Sequence, residues 1–463
     1  MLLRNIIPLI NSLRFMVEKL TLQSSLGKRF LLDSTFMIDA KSINNELNLI
    51  ENVLDILNSN NQSLINKLQI KLMQIRDING SVNRISRNMV MDDVELFEIK
   101  SFALISKEIY DLQKLYGIEI IEIPDLSTVI SILDPNKSNI PSFYIYDIYS
   151  TDLAEVRNQI KIEKAKENAD QHILNDLHLK SETIESNIRE DLSKQIKEHI
   201  TKLSLAVNNI AHLDLIIAKS ILAKEMNLTK PTISNNNWEY VEMVNPQIQD
   251  SLSKQKRQFQ PVDITLDNSI CFITGANMAG KTVILKTLAL CQYLTQFGFF
   301  VPAQKAKVAI VNKVMISIGD EQSEQQGLSS FASEMLKINE MVDSSQNNEN
   351  VLILIDELAR TTNPVEGRAI VNAVANIFFN NKTTSVITTH YSGLSKQCRK
   401  LRVKGLDKEI PNGVINKNNI NDYIDYRLVE DETGDVPHEA LRIAQMLNIN
   451  QEIIDCAQDE LNK

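Results

Sequence analysis

Glycine is nearly missing from the first 274 residues. Of 13 glycines in the 463-residue chain, only Gly27, Gly80 and Gly117 precede Gly275. Tight strand-to-helix turns are thereby excluded from most of that stretch, and long helices are favoured. Between Thr151 and Lys230 there is neither glycine nor proline. Cysteine is scarce as well: Cys271, Cys291, Cys398 and Cys456 fall at no CxxC spacing. That pattern argues against a disulfide framework or a zinc site and suits a reducing, cytoplasmic setting. No apolar run approaches the roughly eighteen residues that span a bilayer, so no membrane partner is expected. There is no basic surplus either. The net charge is −10 and the pI about 5.3, which disfavours a surface that embraces nucleic acid everywhere but leaves room for a local basic strip.

What is present divides into halves. The length suits two to four domains. "NNELNLIENVLDILN", "SLINKLQIKLMQIRDI" and "VELFEIKSFALISKEIYDLQKLYG" carry Leu and Ile at three- and four-residue intervals and predict helices, the last ending at Gly117. At the N-terminus, Ile6, Leu9, Ile10, Leu13, Met16, Val17 and Leu20 predict a packed helix rather than a signal peptide. "SFYIYDIYS" reads as a short β-like run. The glycine-free segment 151–230 is too long for one ordinary helix and predicts two antiparallel arms of about 35 residues, each roughly 50 Å long. Such arms either pack on the rest or project as a lever. From Thr151 to Ile210, nine basic residues stand against eleven acidic ones, a balance that gives phosphates no net attraction. After Pro231, "ICFIT", "KVAIVNKVMISI", "VLILIDE" and "TSVITTH" are short apolar or β-branched runs expected of a buried sheet. The expected organisation is a helical core domain over 1–150, helical arms over 151–230 and an α/β domain over 231–463.

The α/β half carries the chemistry. Gly275-Ala276-Asn277-Met278-Ala279-Gly280-Lys281-Thr282 fits G-x-x-x-x-G-K-[ST], the phosphate-cradling P-loop pattern. It lies between the predicted strand "ICFIT" and the predicted helix "TVILKTLALCQYL", whose Val283 directly follows the loop and is expected to contact nucleotide with it. Gly275 and Gly280 let backbone N–H groups approach a polyphosphate, and the helix N-terminus adds partial positive charge. Lys281 is expected to reach the β- and γ-phosphates and Thr282 to ligate Mg²⁺. Asp356 and Glu357 close the apolar run "VLILI". Two carboxylates there need a charged companion. Mg²⁺ at Asp356 supplies it, and Glu357 is expected to take the proton of an attacking water. His390 ends another apolar run and is expected to sense the γ-phosphate or orient that water. "GDEQSEQQGLSSFASEM" sets Gly327, Ser329 and Ser330 before an amphipathic helix, and "LARTTNPVEGR" supplies a polar loop fit for a subunit interface.

In this order the motifs resemble the ATPase domain of the MutS family, within the ABC-type ATPases. The similar pieces are "TGANMAGKT", "GFFVPA", "GLSSFASEM", "LIDELARTTNPVEG", "TTHYSGL" and the closing "GDVPHEALRIAQMLNINQEIIDCAQDEL". Upstream, "HLDLIIAKSILAKEM" and "NPQI" look like the end of that family's lever helices. The resemblance implies an α/β P-loop NTPase domain preceded by a mainly α-helical lever and core domain, with ATP and Mg²⁺ as ligands. It also implies a homodimer or heterodimer of MutS-like subunits, joined by C-terminal helices. In it Ser329 and Ser330 would face the γ-phosphate bound by the partner, and Asn277 would touch nucleotide. The family default is mismatched or branched DNA. A mismatch-reading MutS inserts the Phe of a Phe-x-Glu motif into DNA; this chain contains no Phe-x-Glu and is nearer the paralogues without that reader. The stretch from "ELFEIKSFALI" to "YDIYSTDLAEVRNQI" is similar to a MutS-like ATPase associated with a cobalamin-dependent lysine aminomutase. That likeness implies an alternative role, reactivating the enzyme without DNA.

Overall fold

The computed structural model describes residues 1–275, 280–318, 330–347, 349–406, 423–431, 441, 444–445 and 449–461. The helices in chain order begin with α1 (Leu3–Ile6), α2 (Asn11–Glu18), α3 (Ser25–Leu32), α4 (Ala40–Asn58) and α5 (Gln62–Leu72). There follow α6 (Asn79–Ser86), α7 (Asp93–Tyr116), α8 (Ser127–Leu133), α9 (Thr151–Lys164), α10 (Gln171–Glu198) and α11 (Ile200–Glu225). Beyond them come α12 (Pro246–Lys254), α13 (Lys281–Gln296), α14 (Ser330–Gln346), α15 (Pro364–Asn380) and a C-terminal helix, Gln451–Leu461. Contacts group these elements into two units. One comprises Met1–Leu20, Thr35–Asn48 and Leu222–Lys463, the other Thr21–Ser34 and Leu49–Ile221. The division falls within α4 and within α11, so the N-terminal 48 residues are shared between the units and do not form part of one block ending at 150.

In the helical unit the local signals act as expected. Asp92 and Glu95 form a reciprocal capping box at the start of α7, and Gly117, at φ +63°, ends it. Lys100, fully buried on α7, donates from Nζ to Asp134 Oδ1 (3.0 Å), the Ser142 carbonyl (2.9 Å) and the Tyr146 hydroxyl (3.1 Å). Burial pushes the Asp134 carboxyl up; the Asn139 amide, the Ser138 hydroxyl and Lys100 outweigh it and hold the carboxyl below its ordinary value. The "SFYIYDIYS" run forms no strand. It carries a 3-10 turn at Asp147–Tyr149, because Lys100 gathers its backbone and Tyr146 into this polar knot rather than against another strand. The 151–230 segment makes three helices, not two arms of about 35 residues. The chain turns after α9 and breaks again at His199, a position marked by no glycine or proline. Val156 and Ile160 of α9 pack on Leu174 of α10. α11 is long and apolar enough to cross a membrane by length and composition, unlike the expectation from unbroken apolar runs, but 72% of its apolar window is buried within the molecule.

The other unit begins with α1 and α2, two helices where one was expected, because Pro8 cannot continue the first. Leu13 and Met16 are buried, whereas Leu9 is 70% exposed. Among the described residues the strands that follow are β1 (Thr232–Ser234), β2 (Trp238–Met243), β3 (Val262–Leu266), β4 (Ile270–Thr274), β5 (Lys305–Ala309), β6 (Lys313–Ser317), β7 (Val351–Ile355), β8 (Thr384–Thr388), β9 (Arg399–Leu406) and β10 (Ile424–Glu430). One sheet has the order β1-β5-β2-β3, the other β10-β9-β4-β8-β7-β6. In the larger sheet β9, β4, β8, β7 and β6 run parallel, and β10 is an antiparallel edge. The expected single run "KVAIVNKVMISI" divides between the two sheets, with Ile310–Asn312 as the crossing.

α14 and α15 cover one face of the larger sheet through Ile338, Met341, Val371, Val374 and Phe378, against Phe272, Ile353 and Ile387. α13 is buried nearly all round and includes Thr287, Gln292, Thr295 and Gln296 among its buried residues. Those polar groups are satisfied. Trp238 Nε1 donates to Gln292 Oε1 (2.7 Å), and Gln292 Nε2 donates to the Ala309 carbonyl (2.9 Å). Gln296 Nε2 donates to the carbonyls of Met37 and Val311, both at 2.7 Å. A fully paired polar network fixes one packing arrangement where an apolar core would tolerate several.

Candidate functional site

β4, β8 and β7 are parallel neighbours in that order, so their carboxyl ends share one edge of the sheet. Ligands in open α/β sheets bind outside that edge. β4 delivers Gly275 there, β7 delivers Asp356 and Glu357, and β8, between them, delivers Thr388 and His390.

Gly275 leaves β4 at φ +141°, and Gly280 caps α13 in the left-handed region at φ +76°. A side chain at Gly280 would also meet the Tyr426 ring at 3.0 Å. Ala276, Asn277, Met278 and Ala279 lie outside the described residues, as do Gly327 and Ser329. Ser330 is the first residue of α14. Lys281 opens α13 with only 4% of its surface exposed, and its Nζ donates to the Gly275 carbonyl at 2.8 Å. Glu357 Oε1 lies 3.9 Å from the same ammonium. Burial lowers the Lys281 pKa, and the carboxylates of Glu357 and Asp356 oppose it.

The next residue, Thr282, donates its hydroxyl to Asp356 Oδ2 at 2.6 Å. The other oxygen, Oδ1, accepts the Thr388 hydroxyl at 2.5 Å. The Asp356 amide donates to the Ser317 carbonyl at 2.8 Å. A hydroxyl and a carboxylate oxygen side by side are hard donors of the kind Mg²⁺ takes, leaving its other positions to water and phosphate. Among the described residues no group of three or more His, Cys, Asp or Glu side chains is arranged to hold a metal. Thr282 and Asp356 thus fit Mg²⁺ beside a phosphate.

Glu357 turns out of β7 at φ +50°, and Ala359 follows at φ +59°. Such conformations cost a non-glycine residue about 1–3 kcal/mol each and persist only where neighbours enforce them. The Glu357 amide donates to the Thr388 carbonyl (3.1 Å) and hydroxyl (3.0 Å). Its carboxylate accepts from Arg360 at 3.0 Å through Oε2. The Ala359 carbonyl accepts the Tyr391 hydroxyl at 2.8 Å, and its amide donates to Glu334 Oε1 at 3.1 Å. Burial raises the Glu334 carboxyl, against the Ala359 amide and Arg360. His390 stacks near Tyr391 with ring centroids 4.5 Å apart. Partial burial lowers its pKa; Glu357 opposes this, while Lys281 and Arg360 add to it. The imidazole is therefore neutral near pH 7 and able to accept or donate one hydrogen bond. The described members of the expected site, Gly275, Gly280, Lys281, Thr282, Asp356, Glu357 and His390, meet at one edge.

Thr388 escaped the sequence reading although it bonds to both Asp356 and Glu357, and three further residues escaped it too. Glu334 is one. Phe259 and Tyr426 are the others: with Gly280, Val283 and Ile284 they line a cavity of about 500 Å³ beside the first turn of α13. An apolar slot with two aromatics beside the N-terminus of α13 suits a planar ring. Phe259 just before β3 gave a weak hint; Tyr426, on β10, gave none, since only the sheet order brings it near Gly280.

Residues 271–463 match the family model of MutS domain V. Over about half of its length the chain is similar to proteins named endonuclease MutS2. That of Halalkalibacterium halodurans is 34% identical over 246 residues, covering 52% of this chain and 28% of that protein. One from Clostridium botulinum is 35% identical over 238 residues, covering 50% and 29%. One from Shouchella clausii is 34% identical over 245 residues, covering 52% and 28%. Each match spans under a third of the relative's own length. The likeness thus covers residues 271–463 by the family model and about half of the chain by the relatives.

Proposed function

We propose that the chain is a MutS-type P-loop ATPase, cleaving ATP to ADP and phosphate with Mg²⁺. The carrying observation is the single edge at which Lys281, Thr282, Asp356, Glu357 and His390 meet. Lys281 and the α13 N-terminus would hold the β- and γ-phosphates, with Ala276, Asn277, Met278 and Ala279 completing the loop. Thr282 and Asp356 would hold Mg²⁺, which neutralises charge developing on the phosphate oxygens. Glu357 would accept a proton from water, and neutral His390 would orient that water or the γ-phosphate. Phe259, Val283 and Tyr426 would house the base.

The unit of function is a dimer with composite sites, in which Gly327, Ser329 and Ser330 of one subunit complete the nucleotide site of its partner. Nucleotide state would be coupled through the long helices to a clamp on branched or otherwise distorted DNA, in line with the relatives named endonuclease. A second reading has a specific observation in its favour: the acidic balance of residues 151–210. It assigns the movement to a protein target, an adenosylcobalamin-dependent lysine aminomutase awaiting reactivation.

Steady-state ATP hydrolysis by the purified chain at physiological salt tests both. Stimulation by mismatched or branched duplex over homoduplex supports the first reading. Stimulation by the inactivated aminomutase alone supports the second. A chain that neither binds nor cleaves ATP removes both.

A further inference from the structure

Glu357 occupies a turn that its own residues do not favour. Both Glu357 and Ala359 have positive φ, and Leu358 and Ala359 are wholly buried. The Ala359 peptide is gripped on both sides. Its carbonyl takes the Tyr391 hydroxyl at 2.8 Å, and its amide gives to Glu334 Oε1 at 3.1 Å. Tyr391 reaches the carbonyl because residue 367 is glycine: a Cβ there would lie 2.2 Å from the Tyr391 hydroxyl and 3.0 Å from the Ala359 oxygen. The Glu357 amide is tied to Thr388 of β8, and the Glu357 carboxylate to Arg360 within the turn and to Lys281 of α13. Glu334 comes from elsewhere, the second turn of α14.

We propose that Glu334 is a positioning residue for Glu357, acting through the Ala359 amide. A buried backbone N–H needs an acceptor; the Glu357 amide finds one on β8 at Thr388, whereas the Ala359 amide is met by a side chain from α14. Glu334 is that acceptor. Without it, the peptide gains by rotating Ala359 back to negative φ. Arg360 and Glu357, one and two residues away, must then move with it. The Glu357 carboxylate would leave its place 3.9 Å from Lys281. The same bond makes α14 a lever on that carboxylate, so a shift of α14 of an ångström alters where the proton of water is received. The inference rests on the reading of Glu357 as the general base.

The test uses the full chain and three substitutions, Glu334→Ala, Glu334→Met and Glu334→Gln. Glutamine keeps an acceptor oxygen at the same reach; alanine and methionine do not. Expected are a fall in kcat of about a hundredfold for Ala and Met, the scale of a 1 Å misplacement, and recovery to within about fivefold for Gln. Binding of a fluorescent ATP analogue should stay within about twofold throughout, since no phosphate contact is lost. Hydrogen exchange over residues 356–362 should quicken in Ala and Met and remain slow in Gln. Unchanged kcat in Ala or Met, Gln as slow as Ala, or unchanged exchange overturns the proposal. If Ala does not fold, Met against Gln decides it. If wild type neither binds nor cleaves ATP, the ATPase reading is what fails, and the exchange comparison still reports whether Glu334 holds the turn.

Discussion

Thr388 and Asp356 sit at the ends of adjacent parallel strands, and the threonine hydroxyl donates to Asp356 Oδ1 at 2.5 Å. With Thr282 on Oδ2 at 2.6 Å, both oxygens of the carboxylate are directed. Partners that orient a metal-binding carboxylate commonly matter by roughly 10–100-fold in metal affinity or activity. Thr388→Val fills the same space without the donor. It should raise the Mg²⁺ concentration needed for half-maximal ATP hydrolysis by about tenfold, read from a Mg²⁺ titration; an unaltered midpoint would detach Thr388 from the site.

Binding and cleavage should separate at Lys281 and Glu357. Lys281→Ala removes a charge-assisted contact of about 1.5–3 kcal/mol, a loss of roughly ten- to a hundredfold in nucleotide affinity. Glu357→Gln keeps the shape and discards the base. It should bind ATP normally and turn it over about 10²–10⁴-fold more slowly. Equilibrium binding and single-turnover hydrolysis, measured on both variants, check the pair.

Acid sensitivity should centre on Asp425. Arg427 hydrogen bonds hold its carboxyl well below the usual range; burial opposes them, and Lys404, the Arg427 amide and Gln260 reinforce them. The folded protein thus binds this proton less readily than the unfolded chain. Stability from Asp425 is fully present above the unfolded value, about pH 4, and declines as pH falls further. Asp425→Asn should flatten the decline in urea-unfolding free energy between about pH 4 and pH 2. A variant whose acid limb still parallels wild type would refute this.

The buried knot around Lys100 should dominate the helical unit's stability. Lys100→Ala strands Asp134 in the interior, and losing one member of a buried pair costs about 3–5 kcal/mol. The double variant Lys100→Met with Asp134→Leu, which removes both charges, should recover part of that loss. Chemical denaturation gives the coupling; additive single effects would contradict it.

Much of the site was legible because its chemistry is local in sequence. Gly275 to Thr282 is one continuous stretch, and Asp356, Glu357 and His390 each end an apolar run that can only be a buried strand. What escaped depends on which strands become neighbours. Tyr426 nears Gly280 because β10 pairs with β9 and β9 with β4, and Glu334 reaches Ala359 because α14 crosses the sheet beneath β7. Neither relation leaves a mark on spacing. In the helical half, periodicity located α7 together with its cap at Gly117. It could not place the break at His199, where no glycine or proline divides α10 from α11. Pro8 was visible, yet the apolar pattern across it outweighed it.

α13 is anchored at both ends: Lys281 at its first residue lies among the acids of the site, and Gln296 at its last holds Met37 and Val311. A stiff rod pinned in this way has no slack. Displacement at the Lys281 end is carried along the 16 residues of the helix to the strap that leads into α4, and a disturbance of that strap travels back. Surveys for loss-of-function substitutions should therefore include Gln292 and Gln296, about three and four turns of helix from Lys281.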